Sequence, residues 1–184
     1  MKKVFVVGQP KFGYDPNEIE TRKEFWSDAN MMNSDLISKW NDVVGEDSKI
    51  YVVGNLFHSS LDVDARTEIL SRLNGNIQVI KHKHDVETEG VQMVNSSKII
   101  HSGMLVSIER FDEIDFNQQV SYSIISNDSR LIDKLNRDHI YYIYQECVIR
   151  RNHLHFPIFN VCVDFWKFTP VDIDIINTHY RRMF

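Results

Sequence analysis

Two ammonium groups, two imidazoles and a carboxylate follow one another in Lys81-His82-Lys83-His84-Asp85. The run comes directly after the apolar stretch Ile77-Gln78-Val79-Ile80, which has the length and residue types of a β-strand. In an α/β fold, ligands and catalytic groups collect at the C-terminal ends of strands. Imidazoles and carboxylates move protons or ligate metals, and an ammonium binds phosphate as a point charge. Further histidines stand at His58 and at His153-x-His155, whose imidazoles would point the same way on a strand. With His82 these either form a metal site or are surface and half-buried side chains. Cys147 and Cys162 are too few for a disulfide framework and form no C-x-x-C pair, so they read as small core residues in a reducing compartment.

The elements that must position these groups come in two halves. Val4 to Val7 is a β-branched and aromatic run suited to a strand buried on both faces, and Gly8 to Asp15 is a loop. A helical pattern runs from about Asn17 to Val44, with Leu36, Ile37, Trp40 and Val43-Val44 at helical spacing and Gly45 as a stop. Lys49 to Val53 reads as a second strand, Asp62 to Leu73 as a second helix and Ile77 to Ile80 as a third strand. This is the β-α-β-α-β order of a parallel sheet. In the second half, Ile99-Ile100, Met104 to Ile108, Val120 to Ile125, Ile140 to Tyr144 and Phe159 to Phe165 are short strand-like runs. Only Ser129 to Asn136 looks helical between them, and the pattern predicts a second, mainly antiparallel sheet packed on the first. Asp172 to Phe184 closes as a helix ending in Arg181-Arg182. Trp26, Trp40 and Trp166 read as core anchors rather than base-stacking platforms. Tyr141-Tyr142-Ile143-Tyr144 fits either a strand with one buried face or an interface edge.

A chain of 184 residues is most simply one domain, here 1–184, and is long enough to bury a real core. Its net charge of -5 argues against a general nucleic-acid-coating surface, without excluding a local basic pocket. The apolar run before Gly8 is too short for a signal-peptide core, and no apolar span is long enough to cross a bilayer. The expectation is a cytoplasmic protein.

The framework residues are similar to those of a known family. Met32-Asn33 to Trp40-Asn41, Val43 to Asp47, Ile50 to Gly54 and Ile69 to Gly75 resemble the first helix, second strand and third-strand approach of the calcineurin-like metallophosphoesterase superfamily. Asn160 to Asp164, followed by Thr169-Pro170-Val171, resembles its closing strand. The resemblance is specific in the first eighty-five residues and loose from about Met93 to His155. It implies an α/β fold of two packed mixed β-sheets flanked by helices, with a site of two metal ions between strand-end loops. Two such cations, about 3.5–4 Å apart, clamp a phosphate and activate water.

At the positions that match the family's metal ligands this chain departs from the pattern. The family's Asp-x-His corresponds to Gln9, Pro10 and Lys11, and its Gly-Asp, whose aspartate bridges both metals, corresponds to Gly54-Asn55. Its Gly-Asn-His-Asp or Glu corresponds to His82-Lys83-His84-Asp85, and its later metal-binding positions fall near Asn127 and Glu146. Only His84 and Asp85 survive, and the matching family histidine assists the leaving group without ligating metal. A neutral amide cannot offset the repulsion of two dications, and an ammonium repels a metal and offers no lone pair. The resemblance therefore implies a scaffold without its metal pair and with no cofactor.

Lys11, Lys81 and Lys83 are then either solvated loop residues or the positive charge of a pocket. In the second case Lys11, Lys83 and His84 are the anion-binding candidates, with backbone N–H groups of the strand-end loops as added donors. Three functions remain in view. The first is a catalytically inactive phosphoesterase-like protein that binds a protein partner, itself included as a homo-oligomer, or a phosphate or nucleotide ligand. The second is a structural subunit of a larger particle, for example of a bacteriophage, which would place the chain in host cytoplasm or virion. The third is a hydrolase with unorthodox ligands.

Overall fold

The computed structural model describes residues 2–110, 118–126, 141–143, 148–150 and 158–183. Strands β1 (Val4–Gly8), β2 (Lys49–Val53) and β3 (Asn76–Ile80) pair in parallel, joined through helices α1 (Ala29–Val43) and α2 (Val63–Arg72). A short β4 (Gln92–Val94) extends this sheet in parallel beyond β3. At the other edge β11 (Val171–Asp172) pairs antiparallel with β1 just before the C-terminal helix α3 (Ile173–Met183).

The second sheet has the order β5-β6-β7-β10-β9-β8. Its strands are β5 (Ser96–His101), β6 (Met104–Glu109), β7 (Tyr122–Ile125), β8 (Tyr141–Ile143), β9 (Val148–Arg150) and β10 (Ile158–Asn160). β6 pairs with β7, and β7 with β10, in parallel; the other pairings are antiparallel. Both sheets are therefore mixed, and in the second three of the five pairings are antiparallel, in keeping with the mainly antiparallel sheet that the strand-like runs predict. The parallel pairings arise because β6–β7 and β7–β10 are joined by long connections rather than hairpins, which local patterning does not reveal.

Side-chain alternation along β1 and β2 fixes the layers. Phe5, Val7, Ile50 and Val52 face one side of the first sheet, with Met32, Leu36, Ile37 and Trp40 of α1 and Ile69 of α2. Val6, Tyr51 and Val53 face the other, against Val106, Ile108, Tyr122, Ile124 and Phe159 of the second sheet. The period of two in a strand makes both faces apolar, and the spacing of the α1 residues lays one stripe on the sheet. Trp40 is buried and its Nε1 donates to the Asn74 carbonyl at 2.9 Å, pinning α1 to the turn before β3.

Two predicted elements differ. The helix expected from Asn17 begins at Ala29, because Asp28 caps it by accepting the Met31 N–H. Residues before it form a 3-10 turn at Pro16–Glu18 and further turns, which direct Arg22 into the interior. The strand expected over Phe159 to Phe165 stops at Asn160 and becomes a 3-10 turn at Val163–Phe165. Trp26, Trp40 and Cys162 are buried as expected, whereas Trp166 is half-buried at the edge of the core with its Nε1 donating to the Asn160 carbonyl. The expected helix at Ser129 to Asn136 lies outside the described residues, as do Tyr144, Cys147, His153 and His155. Among the described residues no helix is long and apolar enough to cross a membrane.

Candidate functional site

Gly8, Val53 and Ile80 are register partners at the C-terminal ends of β1, β2 and β3, so the loops that follow them are neighbours. The first carries Gln9 and Lys11, the second Asn55, and the third His82, Lys83, His84 and Asp85. Main-chain bonds lock the first two together: the Lys11 N–H donates to Asn55 O, and Phe12 N–H to Leu56 O, each at 2.9 Å. The Gln9 N–H is shared between Val53 O at 3.3 Å and Gly54 O at 3.2 Å.

Asp85 joins the second loop to the third. Its Oδ2 accepts from the Asn55 N–H at 3.0 Å and from the His82 N–H at 2.7 Å, and its Oδ1 accepts from the Leu56 N–H at 3.0 Å. The Asp85 carboxylate is thus a clasp between backbones. Gly54, with φ 67°, permits that approach, since a Cβ there would come within 3.0 Å of the His82 Cβ. Gly8 makes a similar allowance toward the second sheet, where a Cβ would lie 2.0 Å from Ser126 Oγ.

Gln9, Lys11 and Asn55 all have left-handed backbone, with φ of 52°, 58° and 51°. Asparagine tolerates this region; glutamine and lysine do so at a cost. Three left-handed non-glycine residues thus lie on the first two strand-end loops. Beneath them, the fully buried Arg22 donates from Nη2 to Gln9 O at 2.8 Å and from Nη1 to Pro10 O at 2.7 Å. Its Nε pairs with Asp164 Oδ1 at 2.7 Å, and Thr21 Oγ1 donates to Asp164 Oδ2 at 2.9 Å. A buried cation, held by a buried carboxylate from the segment after β10, so supports the first loop.

The candidate residues are brought to adjoining loops but are not equally enclosed. Gln9 is buried; Lys11, Asn55 and Asp85 are half-buried; Lys83 and His84 are exposed on the rim. The His82 and His84 rings lie 5.4 Å apart. Lys81 is committed to an ion pair with Glu87 and is not a cation of the pocket. Asn127 and Glu146 lie outside the described residues. The backbone donors expected for an anion are largely used within the protein: the N–H groups of Gln9, Lys11, Gly54, Asn55, Leu56 and His82 all have protein acceptors. Strand-end loops stitched to each other have few such groups left to offer.

Tyr14 is a site residue that the sequence did not single out. Its ring meets His58 edge-on at 4.5 Å and lies 5.9 Å from Lys11 Nζ. Burial, and then the charge of Asp85, push its phenol above the ordinary 10.0, so it stays a neutral O–H. His58 Nδ1 is hydrogen-bonded with Ser60 Oγ at 2.6 Å. Arg22 was also missed, being read as part of a helix. Cys162 is no nucleophile, since burial and the Asp164 charge push its thiol up to about 12.

Among the described residues the donors do not suit a metal pair. Among the described residues no group of three or more His, Cys, Asp or Glu side chains gathers. Within the cluster, Asp85 has both oxygens engaged by main-chain N–H groups, while Gln9, Lys11 and Asn55 bring no anionic oxygen.

No protein-family model matches the chain. The uncharacterized protein MJ1445 of Methanocaldococcus jannaschii is 32% identical over 85 residues, which are 46% of this chain and 48% of that protein. The match thus spans about half the length of that relative. Vps29 from Chaetomium thermophilum aligns over 87% of this chain and 68% of its own, with 10% identity and a TM-score of 0.40, too low to carry an argument. The protein of unknown function AQ665 from Aquifex aeolicus aligns over 97% of this chain and 99% of its own, with 12% identity and a TM-score of 0.64, and at that level the likeness is one of fold.

Proposed function

We propose that this chain is a degenerate calcineurin-like phosphoesterase that acts by binding rather than hydrolysis. The observation that carries the reading is the use of Asp85: its carboxylate fastens three backbone N–H groups of the strand-end loops, work that leaves it poorly placed to ligate a cation. The resemblance of the framework supplies the family, and the lysines at positions matching its ligands supply the change of chemistry. In this reading Lys11, Lys83 and His84 face an anion: a phosphorylated ligand or a carboxylate of a partner protein. Tyr14 O–H adds a neutral donor beside Lys11. The half-buried Lys11 gives the stronger contact and the exposed Lys83 and His84 the weaker, solvent-screened ones.

The test is elemental analysis of untagged protein after exposure to manganese, together with phosphomonoester and phosphodiester hydrolysis. We expect no stoichiometric metal pair and no turnover. Thermal shift with nucleotides and inorganic phosphate should give stabilisation that falls with added salt and is lost in a Lys11→Ala/Lys83→Ala variant. Two metals per chain, with turnover abolished by changing His84, would overturn the reading.

A further inference from the structure

A second surface, built from the segment before α1 and the turn before β11, has the features of a docking site. Phe25 and Met31 are large apolar side chains left 61% and 54% exposed. Phe25 does not hang free. Its ring packs edge-on against Phe168 at 5.2 Å and lies 5.8 Å from Trp26, while Trp26 and Phe168 meet at 4.7 Å. Ser27 bridges to Met31 by an Oγ···Sδ contact of 3.0 Å, and Met31 lies one helical turn before Asp35, which accepts from Trp26 Nε1 at 3.0 Å. The patch thus has two exposed anchors on a rigid aromatic base.

The base is held at a cost in backbone energy. Lys167 and Phe168 are consecutive non-glycine residues in the left-handed region, with φ of 54° and 63°. Such conformations cost on the order of 1 kcal/mol or more each and persist where the surroundings enforce them, which is most often at functional sites. Here they turn the Phe168 ring onto Phe25 and Trp26.

The charge around the anchors decides the partner. Asp15, Glu18, Glu20, Glu24 and Asp28 are all exposed on the same short segment. Asn17 folds that segment back on itself, its Nδ2 donating to Asp15 Oδ1 at 2.9 Å and to Ser27 O at 3.2 Å. Against these five carboxylates the segment has one exposed cation, Lys23, already paired with Glu20 at 2.7 Å; Arg22 is buried against Asp164. Lys39 is paired with Asp35 and spends its charge over the Trp26 and Phe168 rings. Lys167 is the other exposed cation at the turn. Exposed aromatic and methionine side chains on a segment with a surplus of carboxylates complement a partner segment with opposite charge and apolar anchors of its own.

We propose that the Phe25–Met31 face binds a basic segment of a partner protein, one that places one or two bulky apolar side chains on Phe25 and Met31 and Lys or Arg residues against Glu20, Glu24 and Asp28. The inference does not depend on the reading given for the strand-end cluster, although Arg22 of the same segment supports that cluster's first loop. The surplus of carboxylates on the segment disfavours nucleic acid and matches a basic polypeptide.

The experiment is selection of a random displayed-peptide library on the whole chain, with counter-selection on a Phe25→Ser/Met31→Ser variant. Phe25→Ser gives up the ring contacts with Phe168 and Trp26, so the variant's melting temperature is measured first and binding is compared well below it. Recovered peptides should be rich in Lys and Arg around a bulky apolar residue. A synthesised winner should bind on the order of tenfold or more weakly to the Ser variant. It should also bind more weakly to Glu20→Gln/Glu24→Gln, with a flatter salt dependence. Recovery of no peptides, of peptides poor in basic residues, or of peptides indifferent to Phe25 would overturn the proposal. So would sedimentation showing concentration-dependent self-association that the Ser variant abolishes, since the face would then belong to a second copy.

Discussion

The Asp85 carboxylate and the Asn55 N–H are joined by a bond of 3.0 Å, so the acidic residue after β3 is tied to the backbone of the loop that follows β2. The same oxygen also takes the His82 N–H, and its partner oxygen takes the Leu56 N–H. In a metal site, cations draw strand-end loops together. Here one side chain does so with main-chain donors from two loops.

Removing that clasp should be felt as stability. Asp85→Ala strips three N–H groups of a charged acceptor, and loss of such bonds at a half-buried site costs roughly 2–3 kcal/mol. Asp85→Asn keeps one carbonyl oxygen and should cost less. Urea denaturation of the three proteins checks this, and midpoints that do not move would show the clasp to be dispensable.

The Arg22–Asp164 pair predicts a larger effect with a particular pattern. Both side chains are nearly inaccessible, at 0% and 8% exposure. Arg22→Leu leaves Asp164 buried without its cation and orphans the Gln9 and Pro10 carbonyls, so about 3–5 kcal/mol should be lost. Asp164→Leu should cost a comparable amount. The double variant should lose much less than the sum, because neither charge is then stranded. Additive losses in a double-mutant cycle would contradict the pairing.

The sheet and helix framework was legible in the sequence where side-chain periodicity coincides with burial. Lys49–Val53 and Val63–Arg72 match the expected strand and helix because one is an apolar run closed by Gly54 and the other an amphipathic stretch opened by the Asp62 cap. The helix pattern rested on Leu36, Ile37, Trp40 and Val43-Val44, and its start was set too early: the segment from Asn17 to Asp28 instead turns so that Arg22 serves the Gln9 and Pro10 carbonyls. A long-range buried charge leaves no local signature. β4 and β11, only three and two residues long, were likewise invisible: their pairing with β3 and β1 is a tertiary event. At the site, the use of Asp85 was not readable. A carboxylate that ligates metal and one that accepts backbone N–H groups look the same in a sequence.

A pH effect should come from the link between the β5–β6 hairpin and α3. His101 Nε2 and Asp174 Oδ1 are 2.9 Å apart, and the His101 hydrogen bond is the main cause that holds the Asp174 carboxyl below its ordinary 3.8. A carboxyl depressed in the folded state stabilises the fold above its unfolded value, and that contribution is lost as pH falls through the lower folded value. Asp174 is largely exposed, so the effect is small. His101→Ala should lower the denaturation midpoint near neutrality and converge with the parent protein in acid. A difference that persists once Asp174 is protonated would contradict the link.

Cys162 should resist thiol reagents. Its thiol is buried and pushed up to about 12, so almost no thiolate exists near pH 8 and a reagent cannot reach the sulfur. In a Cys147→Ser variant, a chromogenic disulfide reagent should find no thiol until denaturant is added. Rapid labelling of the native protein would show that the segment after β10 opens readily.

Lys11 brings strain and charge to one residue, and the two can be separated. Its φ of 58° disfavours a side chain, so Lys11→Gly relieves backbone strain, while the freedom glycine gains in the unfolded chain offsets part of the relief. The Lys11 Nζ also lies over the Tyr14 ring at 5.9 Å, a contact the glycine variant gives up. The balance should still leave Lys11→Gly as stable as the parent or more so, by up to about 1 kcal/mol. Lys11→Ala loses the charge but keeps the strain, and should be less stable than Lys11→Gly. Both should lose affinity for a phosphate or carboxylate ligand. If lysine is kept in an unfavourable backbone for the sake of its ammonium, stability and binding will move in opposite directions across this series. If binding is unchanged while Lys11→Gly is more stable, the charge at this position is incidental, and the acidic, aromatic face around Phe25 becomes the better guide to what this protein does.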